Sequence, residues 1–288
     1  MKSTTKIIFG ILILLAILIW AGASQEHKPS LDQLRVWFFD IGQGDSAFIE
    51  TPDKFQALID GGPDDSVLTC LGKVMSFGDR EINLVILTHP DADHLTGLID
   101  VLQRYKVDQV IETGVNHDSA RYQKWKDLVG EKNINDKIAD KNEMLNWGQQ
   151  THFEILYPMS SFAQVDVENL NDTSIVGRLD FGEISVLFTG DAEEQENHRM
   201  VEAGEYLASQ ILKVSHHGSK NGTTSELLDA VRPEIGIISV GKDNRYGHPA
   251  KSILDLLDSY KVQIYRTDIN GTIELISDGK SYSIETEK

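Results

Sequence analysis

Four side chains able to bind a metal fall within six residues: His89, Asp91, Asp93 and His94 in Thr88-His89-Pro90-Asp91-Ala92-Asp93-His94. Histidine and aspartate are costly near a core unless they are paired or coordinated. The apolar run Leu84-Val85-Ile86-Leu87 leads directly into them and reads as a buried strand. A helix over about 93–104 leaves them. An extended segment points residues two apart the same way, so His89 and Asp91 share one direction. Asp93 and His94 open the next element and face a neighbouring point. The spacing therefore predicts two metals, each receiving one pair.

The remaining ligands must come from elsewhere in the chain. Asp191 ends a strand just after Gly190 and is the expected bridging carboxylate. His216 and His217 end another strand and offer one further imidazole, and spacing leaves open which of them binds. Asp172, beside Asn171 in a loop, is a candidate for completing the first site. His248 lies in the loop Tyr246-Gly247-His248-Pro249 ahead of a helix. Asp60 and Asp45, each next to glycine, read as carboxylates that brace turns. Lys213 reads as a solvated strand-end lysine, and His27, His117, His152 and His198 read as surface residues.

These residues need elements to position them. Strands are expected over 34–41, 47–50 and 55–60, then a helix over 66–77, the strand into His89 and the helix after it. A strand over 109–113, a helix over 119–129 and a strand over 153–157 follow. The second half repeats the plan, with a hairpin (174–181 and 184–189) around Gly182-Glu183. It continues with helix 193–203, strand 211–215, helix 225–231, strand 235–240 and helix 252–259. Short strands over 262–266, 272–276 and 282–285 close the chain. Two halves, each a meander passing into β-α units, predict an α/β fold of four layers, with two sheets packed together and helices outside. Strand ends from both halves would meet at one edge, where function-bearing loops belong.

At 288 residues, 40% hydrophobic and 25% charged, the chain can build a substantial core. Cys70 is its one cysteine, which excludes an intramolecular disulfide and removes zinc-finger and cysteine-nucleophile readings. Lys2 and Lys6 precede the uncharged apolar run 7–23, a pattern that drives export or membrane insertion. Residues 1–23 are thus expected to be a cleaved signal peptide or an uncleaved membrane anchor. Residues 24–33 would be a linker and 34–288 the functional domain, outside the cytoplasmic membrane. From Ser24 onward 25 basic side chains face 45 acidic ones, a net formal charge of −20. Such a surface repels polyanions at long range, so an anionic substrate would need a local cation site.

The sequence resembles the metallo-β-lactamase superfamily and, more narrowly, the extracellular hydrolase domain of ComEC-type competence proteins. The resemblance is carried by Phe39-Asp40-Ile41-Gly42-Gln43-Gly44-Asp45-Ser46, Leu58-Ile59-Asp60-Gly61-Gly62 and the 88–94 run. Leu187-Phe188-Thr189-Gly190-Asp191 and Leu212-Lys213-Val214-Ser215-His216-His217-Gly218-Ser219 extend it, with support from Asn171-Asp172-Thr173-Ser174 and Tyr246-Gly247-His248-Pro249. It implies a four-layered αββα sandwich with two divalent metal ions at its edge. His89 and Asp91 would serve one metal, Asp93, His94 and His217 the other, and Asp191 would bridge. His216, His248 and Asp93 would bear on catalysis. Asp91 stands where the superfamily usually has histidine, and such oxygen-rich sites favour Mn²⁺ over Zn²⁺. The implied activity is two-metal hydrolysis of an anionic phosphodiester, DNA among the candidates. The alternatives are a small or cell-envelope phosphoester, or a non-catalytic accessory role in DNA uptake.

Overall fold

The computed structural model describes residues 32–141 and 143–288. The segment 7–23, read as signal or anchor, and the linker up to residue 31 lie outside the described residues. The first half runs β1 (Leu34–Phe38), β2 (Ala47–Glu50), β3 (Gln56–Ile59), α1 (Ser66–Val74), β4 (Glu81–Ile86), α2 (Ala92–Arg104), β5 (Lys106–Glu112), α3 (Ala120–Glu131) and β6 (Asn135–Ile138). The second runs β7 (Met144–Asn146), β8 (Thr151–Tyr157), β9 (Val176–Phe181), β10 (Ile184–Phe188), α4 (Glu194–Glu202), β11 (Ile211–Lys213), α5 (Ser225–Val231), β12 (Ile235–Ile238), α6 (Lys251–Ser259) and β13 (Gln263–Arg266). A single turn, α7 (Thr267–Asn270), leads to β14 (Ile273–Ser277) and β15 (Tyr282–Thr286).

Period-two alternation separates the layers. In β1, Leu34, Val36 and Phe38 enter the core between the sheets, whereas Trp37 packs outward with Phe48, Leu58 and Val85. Phe38 stacks on Phe188 of the opposite sheet, with ring centroids 5.8 Å apart. Helices α1 to α3 cover the outer face of the first sheet, with Leu71, Leu98 and Trp125 buried there. Helices α4 to α6 cover the second through Met200, Leu227 and Leu257. The result is the expected αββα sandwich.

The eight-stranded sheet has the order β15-β14-β1-β2-β3-β4-β5-β6 and the seven-stranded sheet β13-β12-β11-β10-β9-β8-β7. In each half an antiparallel meander turns parallel, at β3–β4 and at β10–β11. Two features depart from the expectation. Strands β6 and β7 escape a hydrophobic pattern because they are short outer strands in which Asn135, Asp136, Met144 and Asn146 are exposed and Leu145 alone of β7 packs on the core, and polar residues protect such an edge. The last two strands do not extend the second half. Strand β14 pairs antiparallel with β1, Leu34 opposite Ser277 and Phe38 opposite Ile273.

Parallel strands present their carboxyl ends on the same side, which is where open α/β sheets collect their functional groups. Here β3 leads to Asp60, β4 to His89, β10 to Asp191 and β11 to His216 and His217. All four chemistry-bearing strands therefore deliver to one edge of the sandwich.

A candidate metal centre

Asp91 occupies the N-cap of α2 with extended backbone, yet its carboxylate makes no capping hydrogen bond. It points instead toward His89, whose Nε2 lies 3.5 Å from Asp91 Oδ2. Asp93 and His94, in the first turn, face the second half of the molecule. His94 Nε2 and His217 Nε2 each lie 3.4 Å from Asp191 Oδ2, and His217 Nε2 is also 3.4 Å from Asp93 Oδ2. His89, His94 and Asp191 form one cluster with metal-ligand spacing, and Asp93, His94 and His217 form another. His94 stands between the two.

The backbone is bent to achieve this. His216 and His217 both adopt left-handed conformations, with φ of 48° and 54°. Non-glycine residues hold such angles at a cost of about 1–3 kcal/mol each when the surroundings impose them. The bend sends two consecutive imidazoles to the same edge, which a continuing strand would have split between faces. His217 is buried and reaches the metal-ligand clusters. His216 stays partly exposed, its Nε2 3.6 Å from Asp191 Oδ2 and its Nδ1 3.1 Å from Glu193 Oε1.

Hydrogen bonding fixes which nitrogen of each ring is bare. Asp60 is fully buried, and its carboxylate accepts from the Thr88 amide (2.8 Å), from Thr88 Oγ1 (2.7 Å) and from His94 Nδ1 (2.8 Å). Having given its proton to Asp60, Thr88 Oγ1 accepts from His89 Nδ1 at 3.1 Å. His217 Nδ1 donates to the Ser239 carbonyl at 3.0 Å. Each ring thus keeps a proton on Nδ1, and its neutral form presents the lone pair on Nε2. One carboxylate sets two of the three tautomers.

His89 Nε2, His94 Nε2, His217 Nε2 and Asp191 Oδ1 are all buried without a hydrogen-bond partner. A buried polar atom left bare costs about 1–3 kcal/mol, and cations at the two clusters around His94 and Asp191 would satisfy all four. The electrostatics concentrate negative charge at the same point, and a metal binds there in competition with protons. Burial opposes protonation of His94 and His217, but Asp191 with Asp60 or Asp45 outweighs it and holds both pKa values well above the usual range. Burial likewise opposes ionisation of Asp191, yet His217 and His94 hold it well below the carboxylate range, and Asp93 falls to about 2. A carboxylate set this acidic stays ionised and ready for a metal.

Two expectations need correction. Asp172 does not reach the clusters: it sits in a 3₁₀ turn and accepts from the Asn169 side-chain amide at 2.9 Å. The adjacent Asn171 turns inward instead and donates to Glu193 at 3.2 Å. Lys213 is not solvated. Its ammonium is buried and pairs with Asp45 at 2.7 Å, beneath His217. Asp45 Oδ1 lies 3.2 Å from His217 Nδ1, so the turn carboxylate braces the metal-facing ring. His248 is half-buried, its ring centroid 5.7 Å from that of His216. Glu193 and Thr88 escaped sequence reading. Glu193 follows Asp191 by two residues in an acidic run, and nothing in such a run singles out one member.

Removing Lys213 should be severe. Lys213→Met leaves Asp45 buried without its cation, and breaking such a pair costs about 3–5 kcal/mol, readable by urea unfolding at pH 7. The pH dependence carries a sign. Although burial opposes it, Lys213 with His217 depresses the Asp45 pKa far below its unfolded value near 4. A depressed folded pKa contributes stability above about pH 4 that is lost as pH falls toward the folded value. The variant should therefore lose stability less steeply than the wild type between pH 4 and pH 2. An unchanged acid limb would mean that Asp45 draws nothing from Lys213.

Two facing sheets with helices outside and a His/Asp metal-ligand edge define a metallo-hydrolase sandwich, and a family comparison agrees. Residues 39–242 match the model of the metallo-beta-lactamase superfamily, and the chain belongs to it. Among curated proteins it is 29% identical over 252 residues to ComE operon protein 3 of Bacillus subtilis, covering 82% of this chain and 32% of that protein. It is 28% identical over 271 residues to Recombination protein 2 of Haemophilus influenzae, covering 93% of this chain and 31% of that protein. The chain spans about a third of the length of these relatives. The fold is that of YhfI from Bacillus subtilis, a metallo-beta-lactamase fold protein, with a TM-score of 0.56 at 11% identity over 84% of this chain and 99% of that one. The superfamily fold and the ligand clusters together imply divalent metal binding.

Proposed function

We propose that this protein is an extracytoplasmic, two-metal phosphodiesterase acting on nucleic acid. The observation that carries the reading is the convergence of three buried imidazole lone pairs on the buried carboxylate of Asp191. His89 and Asp91 would hold one ion, Asp93, His94 and His217 the other, with Asp191 shared. With two imidazoles and three carboxylates beside His94, the donor set favours Mn²⁺ over Zn²⁺. Bound divalent ions lower the pKa of a water and neutralise phosphoryl oxygens. The ligand carboxylates bring about −3 against about +4 from two ions, so an anion is attracted locally despite the acidic surface. Similarity to ComE operon protein 3 and to "Competence protein ComA" of Neisseria gonorrhoeae supports a DNA-related substrate.

The chain's own residues supply orientation. Glu193 lies beside His216 Nδ1, on the side of the ring away from the Nε2 that faces Asp191. His248, whose pKa is lowered first by burial and then by the charges of His216 and His217, stays neutral near pH 7. A neutral imidazole serves better as a hydrogen-bond donor to a phosphoryl oxygen than as a proton-releasing acid. Among the described residues no helix is long and apolar enough to cross a membrane. Export or anchoring accordingly rests on the 7–23 segment.

Metal-loaded protein incubated with single-stranded DNA and with bis-p-nitrophenyl phosphate, in Mn²⁺ or Zn²⁺, tests the reading. Cleavage of both is expected, abolished by His89→Ala. Cleavage of the dye ester alone transfers the reading to a small or envelope phosphoester. Cleavage of neither overturns it in favour of a non-catalytic accessory role.

A further inference from the structure

We propose that the loop from Gly241 to His248 is a base-stacking rim, in which Tyr246 takes a nucleobase close to the phosphate held at the metal centre. The proposal rests on the phosphodiesterase reading and narrows its substrate to base-bearing strands. Three observations support it. First, Tyr246 is 64% exposed, and its ring lies nearly parallel to His248 at 14° and 5.8 Å. His248 in turn packs edge-on against His216, 5.7 Å away. The rings thus step outward from the Asp191 carboxylate to solvent, ending in an open aromatic face. Two such steps correspond to about one to three nucleotides of strand.

Second, the loop is held rigid. The Asn244 side chain donates to the Gly241 carbonyl at 2.9 Å and to the His248 carbonyl at 2.8 Å, and it accepts from the His248 amide at 3.0 Å. Gly241 is pressed against Gln43 so closely that a Cβ there would lie 2.8 Å from its amide nitrogen. At the other end the Ala250 amide donates to the Gly218 carbonyl at 2.8 Å, tying the loop to the turn after the two histidines. A platform that does not move loses little entropy when a ring stacks on it.

Third, the loop gathers cations on an acidic protein. Lys242 and Arg245 precede Tyr246 in the loop, and Lys220 lies on the adjoining turn, all exposed. Among the described residues none of the three forms an ion pair, unlike Lys251 nearby, which is neutralised by Asp255 at 2.6 Å. Asp243 is the one acid within the loop. Aromatic rings and unpaired cations beside a metal centre that would hold phosphate describe a single-strand binding surface.

The test compares a single-stranded oligonucleotide with the same strand carrying abasic sites, on the full metal-loaded chain. The ratio of kcat/KM between the two strands is expected to favour the base-bearing one by about tenfold or more. Tyr246→Ala should collapse that ratio toward one, and Tyr246→Phe should keep it, because the ring suffices. Fluorescence anisotropy of labelled strands on His89→Ala protein reads the same preference without turnover. If the wild type cleaves neither strand, the hydrolase reading fails while the binding preference still decides the loop. A wild-type ratio near one, or a ratio that Tyr246→Ala leaves intact, overturns the proposal.

Discussion

Replacing Asp191 by asparagine is expected to lower phosphodiester hydrolysis by about three orders of magnitude and bound metal from two equivalents to one. Asp191 is the carboxylate that three imidazoles of the centre share. Its Oδ2 faces His94, His216 and His217 within 3.4–3.6 Å, and its Oδ1 is buried and bare. Asparagine keeps the shape and removes the charge, so the loss reports on the anion rather than on packing. Metal content by elemental analysis and turnover of bis-p-nitrophenyl phosphate are read on the same preparation, with circular dichroism as the folding control. Two retained equivalents with only a few-fold loss of rate would eliminate the bridging role.

The second large effect comes from a residue that need not touch metal. Asp60→Asn should weaken metal binding by about 10–100-fold, the usual consequence of losing a carboxylate behind a ligand histidine. Asp60 accepts from His94 directly and from His89 through Thr88, so both rings lose the partner that fixes their tautomers. Asparagine is the appropriate replacement because Asp60 has a φ of 58°, a conformation asparagine tolerates. Thr88→Val cuts only the relay to His89. It should weaken one equivalent and leave the other near its wild-type affinity in a competition titration against a chromogenic chelator. If Thr88→Val weakens both equivalents as Asp60→Asn does, the relay does not run through the threonine.

Much of this was written in the sequence, and the residues show why. His89 and the two carboxylates after it form a local cluster at a strand end, so both their chemistry and their direction follow from spacing. Asp191 and the His216-His217 pair announce themselves by glycines and by position after apolar runs, and the left-handed turn decides between the two histidines. What could not be read is what depends on approach across the fold. The burial of Lys213 depends on Asp45, far away in sequence, arriving beneath it. The outward set of Asp172 depends on a short 3₁₀ turn and on the Asn169 amide, and the inward set of Asn171 on Glu193. Strands β6 and β7 hide because a sheet's outer strand needs few apolar residues. The sandwich itself was legible, since period-two alternation and β-α punctuation recur in both halves.

The pairing of β14 with β1 joins residues separated by some 240 positions, Leu34 with Ser277 and Phe38 with Ile273. Such a contact closes almost the whole chain into one loop, and contacts of that kind form slowly. During synthesis β1 emerges before β14 and waits, one flank unpaired, until residues 273–277 have left the ribosome. A ribosome-stalled chain ending before residue 271 should thus hold most of the metal ligands and still behave as an aggregation-prone intermediate. The β14–β15 hairpin is the clasp, and the order of translation makes it fasten after every metal ligand has emerged.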